Sequence, residues 1–591
     1  MKIKHLFGLA VIAAMTASCS SNEDLGNPGS GTNEAGVGYA TFTINLPSTN
    51  GTRAGNPTYE QGTAKEYDVN DVTLLIFKKA GSSEDEYTFV EKADLGTMAP
   101  WKDENNSNGI TASATITAKL SNVALTSEGS TTSDYYALAI LNNKNSANED
   151  KITLPTTSST TPPVTYGSWN AASNADETKF KDNTKGFYMA NAPVYIKDGE
   201  PTTLVNIDKV YATKQKAETN AATTIHVERG LAKVTVASFP TDKHPSGTKY
   251  TSDKVDITAW KLDVTNKSTF PIHKTAGLTT NFATIWSAST EAAPSTGRFV
   301  DGTNTAFKRV HWGIDPNYSD NKYYDGDATT SPEKTALDCC KDAFNMITKD
   351  QVNGAAGEAN PQYCLENTFD LNNMKQGQTT RVVFKATYTP NALASATDKT
   401  FFMIGNSSDI WTMDNLKKQI EGKAKEALGI TTGLTVVLKG DMLEGGTHFL
   451  TTENVSIKDG ETEKVNTPGL VATLNQKLGL DETNGVGIKT YKDGESYYIA
   501  RIKHFGDTDT PWKEGDPTYG VNDATNNNKY LGRYGVLRNN WYELTVGKVS
   551  GPGTPDIPTI KPKEPDDESY KYISVSVRIL SWAKRPSTVD L

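Results

Sequence analysis

Tyr572-Ile-Ser-Val-Ser-Val-Arg-Ile-Leu-Ser-Trp582, near the end of a 591-residue chain, alternates apolar and polar residues. A period of two is the signature of a β-strand. Ile573, Val575, Val577 and Ile579 fall on one face; Ser574, Ser576 and Arg578 fall on the other, where Leu580 and Trp582 extend the row. The strand follows Gly551–Glu568, a stretch with five prolines and several acidic residues. No hairpin partner follows it. A strand on such a leash can complete another molecule's sheet, and eighteen extended residues reach about 60 Å. The bland alternative is a last strand that folds back into its own domain.

A second strand stands near the other end. In Gly38-Tyr-Ala-Thr-Phe-Thr-Ile-Asn-Leu46, the residues Ala40, Phe42, Ile44 and Leu46 share one face. Pro47 ends it, and the loop Ser48–Asn56 carries Thr52-Arg53-Ala54-Gly55. A protease can enter a Gly/Asn/Thr loop of this kind. Cleavage between Arg53 and Ala54 would free the strand Ala40/Phe42/Ile44/Leu46 and bare an apolar groove with unpaired edges, a template for another strand.

Met1–Ser18 reads as an export signal, with Lys2, Lys4 and His5 before the apolar run Leu6–Ala14, which is too short for a permanent span. Thr16-Ala17-Ser18 precede Cys19 as small residues precede the modified cysteine of bacterial lipoproteins, although Thr16 stands where leucine is usual. Cys19 is therefore the expected lipidation site and the lipid the only membrane anchor.

Between these ends the chain reads as β-structure with polar turns. Strands are expected at Val72–Lys78, Ile110–Leu120, Tyr135–Asn142, Phe187–Ile196 and Thr203–Asn206, forming a β-sandwich or open barrel over roughly 37–224. His226–Val236 is expected to open a second domain, followed by strands at Val255–Thr265, Thr380–Thr389, Phe401–Ile404, Leu434–Leu438, Ser496–Lys503 and Trp541–Val549. Three helices are expected: one capped by Ser331-Pro332-Glu333 and running to about Thr348, one at Asn415–Leu428 capped by Asp414 and closed by Gly429, and one at Pro468–Leu478 closed by Gly479.

The composition narrows the function. A net charge of −10 without a Lys/Arg block argues against nucleic acid. With 25 Tyr, 18 Phe and 9 Trp the chain is not wholly disordered. One of Cys339 or Cys340 can bridge to Cys364, or all three can be small buried hydrophobes. The seven histidines are scattered, and neither H-E-x-x-H nor G-x-S-x-G occurs. Gly485-Val-Gly487 is too short for a dinucleotide fingerprint. Asp315–Asp327 and Asp507–Asp516 lack calcium-loop spacing and read as solvated loops. Trp312, Trp411, Trp512 and Trp541 read as core rather than as a sugar platform. No catalytic set, metal or cofactor is expected.

Several segments together carry a resemblance: Cys19, Tyr39–Leu46 with Thr52-Arg53-Ala54-Gly55, Val227-Glu-Arg-Gly-Leu-Ala-Lys233, Tyr363-Cys-Leu-Glu-Asn-Thr368, Arg538-Asn-Asn-Trp-Tyr-Glu-Leu544, and Ile573–Leu591 with its closing Val589-Asp590-Leu591. In their order and positions the chain resembles the fimbrillins of type V pili, in particular the major subunits of short (minor) fimbriae. The resemblance implies a mostly β chain of two transthyretin-like or Ig-like β-sandwich domains, the second with a few inserted surface helices. It also implies a division into signal peptide 1–18, lipidated propeptide 19–53 with a removable strand, N-terminal domain 54–224, C-terminal domain 225–550, linker 551–571 and donor strand 572–591. The linker is shorter than the longest in that family. The implied route is export to the outer membrane as a lipoprotein precursor, cleavage after Arg53 by an arginine-specific protease, and head-to-tail assembly with copies of itself into an extracellular fimbrium, alongside anchor and tip subunits. Adhesion and biofilm formation would follow. The rival expectation is a monomeric outer-membrane surface glycan-binding lipoprotein; a weaker one is a secreted hydrolase with an unrecognised carboxylate site.

Overall fold

The computed structural model describes residues 37–46, 63–103, 112–127, 133–157, 162–172, 177–181, 184–195, 201–275, 277, 308–310, 312–505, 510, 530–566 and, as backbone, 573–580. Cys19, Arg53, Ala54, Trp512 and Trp582 lie outside the described residues.

The chain is mostly β, as the alternation of apolar and polar residues predicts. Its N-terminal part contains β1 (Gly38–Asn45), β2 (Val72–Lys78), β3 (Thr88–Gly96), β4 (Lys102–Asp103), β5 (Ala112–Leu120), β6 (Tyr135–Leu141), β7 (Met189–Asn191) and β8 (Thr223–Arg229). They pair in the order β3-β2-β6-β7-β8-β1-β5-β4. The path curls around one core, in which Phe42 and Ile44 meet Leu74, Ile76, Ala137, Leu141 and Ile225. The expected strand Phe187–Ile196 is broken: Met189–Asn191 and Val194–Tyr195 are separate, because Ala192-Pro193 interrupts the ladder.

The segment expected as a single strand over His226–Val236 is divided at Gly230. Residues before it belong to β8 in the first sheet, and those after it open the second. The crossover needs glycine, since a Cβ there would lie 2.7 Å from the Phe180 ring and 2.9 Å from Tyr188.

The C-terminal part comprises β9 (Leu231–Val236), β10 (Lys254–Asp263), β11 (Gln362–Leu365), β12 (Arg381–Thr389), β13 (Glu495–Arg501), β14 (Trp541–Val549) and β15 (Ile573–Leu580). One sheet has the order β11-β9-β14-β15 and the other β10-β12-β13. Val234, Trp260, Phe384, Tyr498, Tyr542 and Leu544 join one core between them.

Helices decorate this part, with boundaries set by caps. The first expected helix shrinks to Ala336–Ala343, because the capping box is Thr335 with Asp338 rather than Ser331-Pro332-Glu333. The second is Met413–Leu428, capped by Thr412 instead of Asp414 and closed by left-handed Gly429. The third is Leu470–Lys477. The last two pack Leu416, Ile420 and Leu474 against Phe402 and Ile457 in a separate small core.

Candidate functional site

The first element of interest is the slot that holds β1. Strand β1 pairs antiparallel with β5 from Gly38↔Leu120 to Asn45↔Ser113, and parallel with β8 from Phe42↔Thr223 to Asn45↔His226. It is thus an interior strand with ladders on both flanks. Its inward row is sealed: Ala40, Phe42, Ile44 and Leu46 are 1%, 0%, 0% and 3% exposed. On the opposite face, the Thr41 and Thr117 hydroxyls are 2.7 Å apart and those of Thr43 and Thr115 2.8 Å. Beyond Leu46 the chain enters the segment containing Arg53.

Where the chain re-enters the described fold, it is fastened. Glu66, in the short helix Ala64–Tyr67, is fully buried. Lys233 Nζ of β9 lies 2.8 Å from Glu66 Oε1, and the Tyr363 hydroxyl of β11 donates to the same oxygen. Arg229 Nε of β8 donates to the Glu66 carbonyl at 2.8 Å, and Lys233 also stacks 4.0 Å over the Trp541 ring. Burial works to raise the Glu66 pKa, yet Lys233, Tyr363 and Arg229 outweigh it and hold the carboxyl below its usual range. The residues at which the described chain resumes after Arg53 are therefore clamped to both sheets.

The tail is the third element. Residues 551–566 are not the free leash expected from their prolines; they lie docked on the C-terminal part. The Tyr498 hydroxyl donates to the Gly551 carbonyl at 3.0 Å and the Tyr491 hydroxyl to the Gly553 carbonyl at 2.8 Å. Thr554 and Tyr497 exchange backbone bonds of 2.8 and 2.9 Å. A Cβ at Gly553 would lie 2.2 Å from the Tyr497 carbonyl oxygen, so only glycine permits this approach. Ile560 enters an apolar cluster with Val264, Tyr323 and Phe344. The Gln376 N–H donates to the Glu564 carbonyl at 3.1 Å. At the end, Asp566 is buried, 3.0 Å from Arg501 Nε and accepting from the Thr379 hydroxyl.

From Ile573 to Leu580 the backbone returns to its own sheet as β15, antiparallel to β14. The register sets Val575 opposite Val546, Val577 opposite Leu544, Ile579 opposite Tyr542 and Leu580 opposite Trp541. Ile573 lies opposite Val549, past a bulge at Gly547. Strand β15 ends the sheet order and, among the described residues, is bonded on one flank.

The remaining sequence candidates resolve differently. Cys339, Cys340 and Cys364 are free and buried. The cysteine bridge weighed from sequence does not form: Cys340 packs with Val264 and Tyr323 while Cys364 belongs to the main sandwich core, and the Cys340 thiol is spent on the Tyr323 carbonyl at 3.2 Å. Trp312 and Trp541 are core, whereas Trp411 flanks the small helical core. The stretch from Asp315 is not simply a solvated loop. Asp315 is buried, accepts from Thr368 N at 2.7 Å and Asn266 Nδ2 at 2.8 Å, and burial pushes its carboxyl up to about 7. Among the described residues, no group of three or more His, Cys, Asp or Glu side chains is arranged to hold a metal, and no helix is long and apolar enough to cross a membrane.

The clamps at Glu66 and Asp566 escaped sequence reasoning. A lysine inside the otherwise uncharged run Leu231–Val236 is the one readable signal for the first. Asp566 sits in the run Asp566-Asp567-Glu568, where nothing distinguishes it.

Comparison with known proteins follows the geometry. Residues 489–588 match the family described as "Major fimbrial subunit protein type IV, Fimbrillin, C-terminal". No curated protein sequence matches the chain. Among solved structures it is similar to a candidate cell adhesion protein of Parabacteroides distasonis ATCC 8503, at 11% identity and TM-score 0.36, covering 93% of this chain and 98% of that one. It is similar also to a fimbrilin of Porphyromonas gingivalis W83, at 10% identity and TM-score 0.35, covering 93% and 99%. A third is the tip fimbrial protein Mfa3 of Porphyromonas gingivalis, at 9% identity and TM-score 0.28, covering 92% and 99%. The family match spans β14, the docked linker and β15 together. Over residues 489–588, this chain is similar to the C-terminal region of the fimbrillins.

Proposed function

We propose that this protein is the stalk subunit of a cell-surface fimbria, which polymerises when protease cleavage after Arg53 releases β1 and the C-terminal strand of another copy fills the slot. The observation that carries the reading is the position of β1: an interior strand with a sealed apolar face, at the very start of the described fold, upstream of a candidate cleavage loop. Its loss would leave β5 and β8 as two facing edges around a strand-wide groove.

Magnitudes favour refilling. Burying Phe42, Ile44 and Leu46 contributes about 1.5–3 kcal/mol each, and each ladder hydrogen bond a further 0.5–1.5 kcal/mol or so. A vacated slot therefore has a strong drive to recruit a period-two strand. The row Ile573, Val575, Val577 and Ile579 supplies one. Because donor and slot lie on opposite ends of the subunit's sequence and differ in shape, the contact is heterologous and propagates as a filament. The fimbrillin match over 489–588 supports this reading, and the burial of Trp312 and Trp541 speaks against a glycan platform built on them. The precursor would be a lipoprotein anchored through Cys19 in the outer membrane and the product an extracellular fimbrium working in adhesion and biofilm formation, with an arginine-specific protease and anchor and tip subunits as partners.

Mass spectrometry of the N-terminus of surface-sheared material tests it. A start at Ala54 is expected, with Arg53→Ala giving a lipidated monomer and no fibres. Acylated Cys19 on assembled fibres would refute the processing step.

A further inference from the structure

We infer that the exchanging arm is rooted at Asp566: residues 551–566 stay on their own domain when the arm leaves, and only the residues after Asp566 cross to the neighbour. This rests on the strand-exchange reading above and deepens it by fixing where the moving part begins.

The two segments are held very differently. Residues 551–566 are tied at both ends and in the middle. Gly551 and Gly553 satisfy two buried tyrosine hydroxyls, Tyr498 and Tyr491. Ile560 is 9% exposed within an apolar cluster. Asp566 sits 3.0 Å from Arg501, with side-chain exposures of 0% and 2%. Lifting this stretch would take a carboxylate away from a buried arginine and a carbonyl acceptor from each of two buried phenols, which is far costlier than losing surface contacts. Strand β15, by contrast, is the edge strand of its sheet, laddered among the described residues to β14. The described side-chain fastening of the tail therefore ends at Asp566.

A geometric consequence follows. The six positions 567–572 span about 20 Å when extended. The slot of the accepting subunit must open within that distance of the donor's Asp566, whereas an undocked linker would allow about 60 Å. Subunits joined this way meet at a short joint.

Two engineered disulfides test the inference on the full chain. Lys375 and Pro565 face each other across an antiparallel bridge, and Thr545 faces Ser576 between β14 and β15; directly opposed positions lie within disulfide reach. Lys375→Cys with Pro565→Cys pins the linker, while Thr545→Cys with Ser576→Cys pins the arm. Each oxidised variant is checked for a native unfolding midpoint, trimmed with a trypsin-like protease and imaged by negative-stain microscopy. The linker-pinned protein is expected to form fibres as the parent does, and the arm-pinned protein to form none until reduced. Fibres from the linker-pinned protein only after reduction would overturn the root at Asp566 while leaving strand exchange intact. Fibres from the oxidised arm-pinned protein would overturn strand exchange itself.

Discussion

Arg501 Nε and Asp566 Oδ1 lie 3.0 Å apart with both side chains buried, joining the end of a strand in the second sheet to the end of the C-terminal linker. Removing one partner of such a pair strands the other charge. Asp566→Ala is therefore expected to destabilise the C-terminal part by about 3–5 kcal/mol. Exchanging both groups for apolar ones of similar volume, Arg501→Met with Asp566→Leu, is expected to recover most of that loss. Urea denaturation of the three proteins reads the difference.

The Glu66–Lys233 pair makes the same kind of demand at the other clamp. Lys233→Met and Glu66→Gln are each expected to cost about 3–5 kcal/mol, with the double variant losing much less than the sum. The sign of the pH effect follows from the lowered Glu66 pKa. Its contribution is present above the unfolded carboxylate range and is lost as pH falls through the lower folded value. Wild type should therefore lose stability relative to Glu66→Gln on acidification, as a denaturation series at stepped pH would report.

Glu84 works in the opposite sense. Its carboxylate accepts the Thr203 and Leu204 N–H groups at 3.0–3.1 Å, but burial dominates and pushes its pKa up to about 7. The folded state thus holds the Glu84 proton more tightly than the unfolded chain does. That stabilisation is fully present below the ordinary glutamate pKa and is lost as pH rises through about 7. Compared with Glu84→Gln, wild type should lose on the order of 3 kcal/mol between pH 4.5 and pH 8, measured by denaturation of both proteins across that range.

On the proposed cleavage after Arg53, Phe42 would separate precursor from product. It is fully buried in β1, so Phe42→Ala is expected to destabilise the untrimmed protein by about 3–5 kcal/mol. The trimmed protein has lost residue 42 and should be indistinguishable from trimmed wild type. Calorimetry before and after protease treatment makes the comparison.

The strands were legible where local sequence and burial agree. Val72–Lys78, Phe401–Ile404 and Trp541–Val549 are strands with the bounds their apolar runs predict, and Ala40, Phe42, Ile44 and Leu46 form the buried row that alternation implies. Thr88–Gly96 was missed because its burial is only partial and its Glu91, Lys92 and Asp94 mask the alternation. The linker misled for a different reason. Five prolines remove donors and stiffen a chain whether it is free or docked, and what docks this one is distant: Tyr491, Tyr498 and Arg501 from strands of the C-terminal part, and Gln376 from a loop. Pairings of that range leave no local trace, and the same is true of Glu66, whose partners Lys233 and Tyr363 lie far along the chain.

The density in the slot between Ala112–Leu120 and Thr223–Arg229 of an assembled, protease-trimmed fibre, resolved by electron cryo-microscopy, tests the central claim most directly. Residues 573–579 of a neighbouring copy should occupy it, with that neighbour's Asp566 still on its own Arg501. Residues 38–45 of the same copy in the slot, with 573–580 still beside Trp541–Val549, would contradict it.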